Sequence, residues 1–262
     1  MTCQDPHLPS LENKSTPEPT HPGQPLRLTL ATYNIHACVG RGGRFDPSRI
    51  EGVLREMDAD VVALQELRWN PDAALDQLKE FGRRLGYHTV AGPTLLRGGG
   101  HYGNALLSRH PLAQLQRIDL SQAGREPRGA IDVQVRVPGR QGPPLRVIAT
   151  HLGLSPAERR TQIRTLLTRL GRSSTPDPVV LMGDLNEWFA WGRPLRRLHR
   201  HFGNTDAAPT WPAALPVFSL DRIWVHPRAL LLKVEPHRTA LAREASDHLP
   251  LRAVIELQAS RD

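Results

Sequence analysis

Twice along this chain an apolar strand pattern, a helix pattern and a second, short apolar strand follow one another, and all four strands end on polar groups. Leu26-Arg27-Leu28-Thr29-Leu30-Ala31-Thr32-Tyr33 alternates with the period of two expected of a strand and runs into Asn34. Asp46-Pro47 then opens a helix, with aspartate as cap and proline in the first turn. Ile50, Val53, Leu54 and Met57 recur on one face of that helix. The run Val61-Val62-Ala63-Leu64 reads as a buried strand and ends at Gln65-Glu66. The second unit starts with a strand over 145–150 that runs into His151. Its helix opens at Ser155-Pro156-Ala157-Glu158, the pattern of a capping box, and carries Ile163, Leu166, Leu167 and Leu170. Val179-Val180-Leu181-Met182 closes the unit and leads to Asp184-Leu185-Asn186. In layered α/β folds the carboxyl edge of the strands is where sites are built. The repetition predicts two sheets packed face to face, with helices outside and the polar strand ends converging at one rim.

The rest of the chain fits this plan. A helix with Leu75, Leu78, Phe81 and Leu85 inward follows the first unit. Further strands are expected at 87–91, 104–108, 115–120, 130–137, 222–225, 230–235 and 249–257. We place one domain over 26–262. Residues 1–25 hold six of the 24 prolines and little that could be buried, and read as a disordered tail. A domain of this size buries roughly 70–75% of the surface of its unfolded chain, so it needs no covalent staple. The two cysteines, Cys3 and Cys38, exclude a disulfide framework and a cysteine-based zinc site. No apolar run reaches the ~18–20 residues of a membrane span. The polar N-terminus lacks the apolar stretch of an ordinary signal peptide, so a cytoplasmic protein is the expectation.

The net charge of +8 points to an anionic partner: nucleic acid, a phosphorylated metabolite or an anionic lipid surface. Of the 34 basic residues only Lys14, Lys79 and Lys233 are lysines. Arginine suits bidentate phosphate contacts, and a GC-rich coding sequence would give the same bias.

The strand-end residues carry the candidate chemistry. A carboxylate at Glu66, after an apolar strand, is costly unless paired or metal-bound; a solvated loop start is the other reading. Asp184 and Asn186, after Gly183, form either an Asx turn or a pair of oxygen ligands of the hardness that suits Mg²⁺ or Mn²⁺. Ser246-Asp247-His248 precedes the last strand and pairs a carboxylate with an imidazole, able to polarise water beside a metal, or forms an exposed turn. His151 is a site group or a satisfied structural histidine, Asp221 a site group or a partner of Arg222, and Arg128 a phosphate clamp or a surface residue. The sequence has no Walker loop, no Gly-x-Ser-x-Gly elbow and no His-Glu-x-x-His pair. The segment 189–197 reads as a rim helix with Trp191 and Arg197, beside Trp188.

Seven segments in this order resemble the endonuclease/exonuclease/phosphatase superfamily, the DNase I-like fold. They are Tyr33-Asn34-Ile35-His36, Leu64-Gln65-Glu66, the stretch from Gly103-Asn104 to Ser108-Arg109, Thr150-His151-Leu152, Gly183-Asp184-Leu185-Asn186, Leu220-Asp221-Arg222-Ile223 and Ser246-Asp247-His248. The resemblance implies a four-layer α/β sandwich, two packed mixed β-sheets flanked by helices, and Mg²⁺-dependent hydrolysis of a phosphate ester, with Mn²⁺ as a substitute. It gives Glu66 as the principal metal ligand, with Asn34 and Asp247 beside it. It gives Asp184 and Asn186 as phosphate- or water-positioning groups and His248, oriented by Asp221, as general base or transition-state stabiliser. His151 is implied as a second, phosphate-contacting catalytic acid, and Arg128, with Asn186, as a phosphate contact. Thr150-His151-Leu152 looks more like the DNase I, sphingomyelinase and inositol-phosphatase branches than the apurinic-site endonucleases, which carry asparagine at that strand end. Nucleic acid, DNA or RNA, is the expected substrate; a phospholipid headgroup or small phosphate ester is the alternative. No obligate protein partner is implied.

Overall fold

The computed structural model describes residues 25–72, 76–97, 99–140, 142–171, 178–189 and 191–258. Leu75 and all of the expected tail except Pro25 lie outside them.

Both strand–helix–strand units form, but the second strand of the first runs on to Trp69, so Gln65 and Glu66 lie within it and not past its end. In the first, β1 (Leu26–Asn34), α1 (Pro47–Met57) and β2 (Val61–Trp69) place Asn34 opposite Gln65 in a parallel pair. In the second, β7 (Leu145–His151), α3 (Pro156–Leu170) and β8 (Val179–Asp184) place His151 opposite Asp184. Between them run α2 (Gln77–Leu85), β3 (His88–Arg97), β4 (Gly100–Ser108), β5 (Leu112–Asp119) and β6 (Gly129–Val135). After them come α4 (Arg193–Phe202), β9 (Asp221–His226), β10 (Leu231–Pro236), α5 (Ala240–Ala245) and β11 (Leu251–Leu257). One sheet has the order β10-β11-β1-β2-β4-β3, the other β5-β6-β7-β8-β9.

Three apolar layers hold the sandwich. Leu30, Val61, Ala63, Ile131, Val147, Val180 and Ile223 fill the space between the sheets. Tyr33, Leu64, Ile50, Met57 and Phe81 lie under α1 and α2. Ile148, Leu181, Ile163, Leu198 and Trp224 lie under α3 and α4. Strand parity therefore assigns faces: even positions of β1 and β8 and odd positions of β7 and β9 look between the sheets. Asn34, Asp184, His151 and Asp221 share that parity, so the first polar residue past each apolar stripe is aimed into one cleft.

Two local expectations change. Ser155 precedes α3, but its side chain makes no cap bond. Glu158 is buried and accepts from Gln162 Nε2, so the expected reciprocal box is replaced by a tertiary contact. The rim helix begins only at Arg193, with Gly192-Arg193-Pro194 at its start; Trp188, Phe189 and Trp191 precede it in the loop.

Gly183 shows how tightly the second parallel pair closes. A Cβ built there would overlap the Thr150 carbonyl oxygen on the neighbouring strand. Gly183→Ala must push β7 and β8 apart beside His151 and Asp184. We expect it to cost ~1–3 kcal/mol, as overpacked sites do. That is a fall of roughly 2–4 °C in melting temperature per kcal/mol for a chain of this size. Thermal denaturation followed by circular dichroism checks it; an unchanged melting point would show that the strands give way freely.

Candidate active site

The centre of the cleft is an amide between two carboxylates. Asn34 Nδ2 donates to Glu66 Oε1 at 3.0 Å and to Asp184 Oδ2 at 3.1 Å. Its Oδ1 accepts from the His36 backbone N–H at 3.0 Å, which fixes the amide's orientation. Asp184 reaches this point by strand parity, but Glu66 does not. By alternation from Val62 and Leu64 it would face the helices. The β2–β4 register slips between Leu64 and Leu67, and Glu66 adopts a left-handed φ of 60°. The bulge turns its carboxylate toward Asn34, a strained backbone of the kind found beside functional groups.

A second cluster adjoins the first. His248 Nδ1 donates to Asp221 Oδ2 at 2.9 Å, and Thr210 Oγ1 donates to the same oxygen at 2.6 Å. His248 Nε2 faces Asp184 Oδ2 at 3.7 Å. His151 approaches that oxygen from another side, Nε2 to Oδ2 at 3.5 Å. Arg128 Nη1 donates to His151 Nδ1 at 3.2 Å. Asn186, with φ 50°, donates from Nδ2 to the Leu152 carbonyl, and that nitrogen lies 3.0 Å from His151 Nε2; its backbone N–H donates to Asp184 Oδ1. Asn34, Glu66, Arg128, His151, Asp184, Asn186, Asp221 and His248, read from seven separate segments, thus form one connected cleft. Asp247 stands at its margin, half-exposed, accepting from Trp211 Nε1 at 3.3 Å and lying 3.7 Å from His36.

The two histidines are pushed in opposite directions. Burial followed by the Arg128 guanidinium pulls His151 down to about 3, against the pull of Asp184. Burial would lower His248 as well, but the Asp221 and Asp184 carboxylates outweigh it and push the ring up to about 10. His151 is neutral and His248 charged at neutral pH. Tyr102 is held far above its ordinary range by burial and then by the Glu66 carboxylate, to which its hydroxyl donates.

The donor set fits a hard divalent cation. Glu66 and Asp184 converge from different sheets, and Asp221 Oδ1 is buried with no hydrogen-bond partner among the described residues. Ligand atoms of Asp184, Asp221 and His248 all lie within 4.8 Å of one another. Carboxylate and imidazole groups gathered in this way could hold such a cation.

Several contributors were not singled out from the sequence. Tyr102 on β4 and Thr210 in a loop hold Glu66 and Asp221. The buried pair Arg159–Glu187, Nε to Oε2 at 3.2 Å, ties α3 to the loop after Asn186, and Arg159 Nη1 also donates to the Leu154 carbonyl. A fully buried arginine in an otherwise amphipathic helix has no pattern that marks it. Trp188 packs edge-on against Trp211 and Phe218, at 5.1 and 5.0 Å between ring centroids, while Trp191 is 72% exposed.

The comparisons agree with this geometry. Residues 31–248 match the model of the Endonuclease/Exonuclease/phosphatase family. The chain is 30% identical to "Uncharacterized protein YbhP" of Escherichia coli (strain K12), over 89% of this chain and 98% of that protein. It is similar to the endonuclease/exonuclease/phosphatase structure from Beutenbergia cavernae, with TM-score 0.69, 26% identity, and 88% of this chain and 72% of that one covered. The fold is also that of a mannosyl-6-phosphatase from Bacteroides thetaiotaomicron, with TM-score 0.67, 18% identity and coverage of 88% and 99%. Two mixed sheets with helices on both outer faces, carrying this set of acids, amides and histidines at one rim, place the chain in the endonuclease/exonuclease/phosphatase family of phosphoester hydrolases.

Proposed function

We propose that this protein is a Mg²⁺-dependent phosphodiesterase that cleaves nucleic acid by attack of water on phosphorus, with Mn²⁺ able to replace Mg²⁺. The observation that carries the reading is the facing of Glu66 and Asp184 across Asn34, with the Asp221–His248 pair against the same Asp184 oxygen. Glu66 would hold the cation, with Asn34 able to contribute only through Oδ1 and Asp247 from the margin of the cleft. Asp221 and His248 are committed to each other by hydrogen bond and serve as a pair instead. A bound divalent cation neutralises phosphoryl oxygens and supplies several kcal/mol to the transition state.

The chain's own residues do the rest. A cation that neutralises Asp184 would remove one of the carboxylate charges that raise His248, so that its ring would hold the proton less tightly. Its Nε2 then accepts a proton as the water oxygen bonds to phosphorus, while Asp221 holds Nδ1–H. The ester P–O bond breaks, the leaving oxygen takes up a proton from solvent, and His248 later returns its proton to solvent. Arg128 and His151 donate to phosphoryl oxygens, where charge builds up in the transition state. Asn186 and Asp184 position the phosphate and the water. The basic composition supports a polyanionic substrate. The exposed aromatic residues Trp188, Phe189 and Trp191 near this rim favour a second reading, hydrolysis of phospholipid headgroups or small phosphate esters.

A panel of plasmid DNA, RNA, nucleotides and phospholipid vesicles, each with Mg²⁺, Mn²⁺ or EDTA, tests both readings. We expect nucleic acid to be cleaved at low salt, with activity lost in EDTA. His248→Ala should lower the rate by ~10²–10⁴, and Glu66→Ala by roughly 10² or more. Undiminished hydrolysis by Glu66→Ala would show the cation seat to be elsewhere. Cleavage of vesicles alone would select the second reading.

The histidines also set a pH dependence of stability in EDTA. His248, raised in the folded protein, contributes stability that is complete below about pH 6.5, its unfolded value, and is lost as pH rises through about 10. His151, lowered to about 3, contributes above about pH 6.5 and loses that contribution as pH falls toward 3. The melting temperature should therefore decline on both sides of neutrality, and Asp221→Asn should flatten the alkaline limb. An alkaline limb of unchanged slope in that variant would mean that the pair is not what holds the His248 proton.

A further inference from the structure

A groove of about 390 Å³ opens beside the cleft, between the β3 edge and β5–β6. Arg128 and Arg117 both line it. Arg128 is 8% exposed, and its Nε is buried with no hydrogen-bond partner among the described residues. Arg117 is exposed on β5 and donates only its Nε, to the Ala91 carbonyl at 2.9 Å; its two Nη groups have no hydrogen bond or ion pair among the described residues. The carboxylate of this groove, Asp119, is taken up by the Ser121 backbone N–H at 2.8 Å. Ser121 Oγ donates to the Arg128 carbonyl and Thr94 Oγ1 to the Tyr102 carbonyl, so the hydroxyls are committed as well. Arg128 Nη1 is ion-paired with Glu126 Oε1 at 3.0 Å, so Arg117 is the guanidinium of this groove whose Nη groups stay open to an anion.

The groove joins the cleft through Arg128, which bonds His151 on one side and lines the groove on the other. A second groove of about 230 Å³, lined by Arg125 and Ser155 among others, also ends on Arg128. Arg128 therefore stands where two open-sided grooves meet at the cleft. A monoester would use neither groove; a strand that continues past the scissile phosphate would use both. Resting on the nucleic-acid reading above, we propose that the groove between Arg117 and Arg128 is a subsite for a non-scissile phosphate of the same strand. Arg117 is its specificity-determining residue, selecting internal phosphodiesters of a polynucleotide over small diesters. Guanidinium groups suit this role, since two parallel N–H donors can engage one phosphate.

The test compares a single-stranded 12-mer with bis(p-nitrophenyl) phosphate, both with Mn²⁺. The proteins are wild type, Arg117→Ala, Arg117→Lys and Arg55→Ala; the last removes the same charge from α1. We expect Arg117→Ala to lower the ratio of kcat/KM on the 12-mer to kcat/KM on the small diester about 10-fold, through KM. Arg117→Lys should recover most of the ratio. The slope of log KM for the 12-mer against log salt should fall by about 0.7 in Arg117→Ala, the signature of one lost phosphate contact on a single strand. If the 12-mer is cleaved but Arg117→Ala matches Arg55→Ala in ratio and slope, the subsite is wrong and the nuclease reading stands. If wild type hydrolyses the small diester and no nucleic acid, the nuclease reading itself has failed and the subsite goes with it. Superimposable circular dichroism spectra confirm that each variant is folded.

Discussion

The Asn34 side-chain amide lies between two carboxylates of different sheets, Glu66 and Asp184, and the order of the cleft follows from that contact. Acidic groups held this close repel one another, and removing them from water raises the cost. One amide nitrogen offers each of them a hydrogen bond and no charge. The chain meets the remaining imbalance with groups from further segments. Tyr102 donates to Glu66, His36 fixes the amide through Asn34 Oδ1, and His248 brings a positive charge against Asp184. The same unbalanced negative charge makes the place suited to a divalent cation and, through it, to a phosphate ester.

Two histidines close to one carboxylate oxygen have opposite charge states because their other neighbours differ. His151 has the Arg128 guanidinium at its back, and His248 has the Asp221 carboxylate at its back. A neutral ring can donate to a phosphoryl oxygen without adding charge. A ring backed by a carboxylate keeps its tautomer and can take or return a proton as the local charge changes. The division of labour between donor and base thus lies in what stands behind each ring, which is a property of the fold. The loops that carry these groups are anchored from below by Arg159, whose guanidinium joins Glu187, after Asn186, to Leu154, after His151. Removing one partner of such a buried pair would leave an uncompensated charge beneath the cleft.

Much of this was legible before any coordinates. The two strand–helix–strand units and two sheets packed face to face follow from apolar period, because burial on both faces leaves few alternatives to a layered fold. Asn34, Glu66, His151 and Asp184 were legible as site candidates for one reason: each was read at the end of an apolar strand, whereas Asp221, which opens β9, was marked by the family resemblance. The Ser155–Glu158 pattern was misleading because a buried hydrogen bond to Gln162 outweighed the local cap, a case of tertiary context overriding a short motif. Tyr102, Thr210 and the Arg159–Glu187 pair carried no signal, since single polar residues in strands, loops and helices are common.

The sequence by itself determined the layers and the polar residues at the strand ends, Glu66 among them, that converge at one rim. Only the tertiary structure decided how Glu66 reaches it. Alternation along β2 points its side chain at the helices, and a bulge with a left-handed residue turns it back. Only the structure decided, too, which histidine is charged and that Arg117 and Arg128 face one groove. The reason is physical: periodicity fixes the direction of a side chain relative to its own backbone, whereas bulges, charge states and grooves depend on distances between segments far apart in the chain.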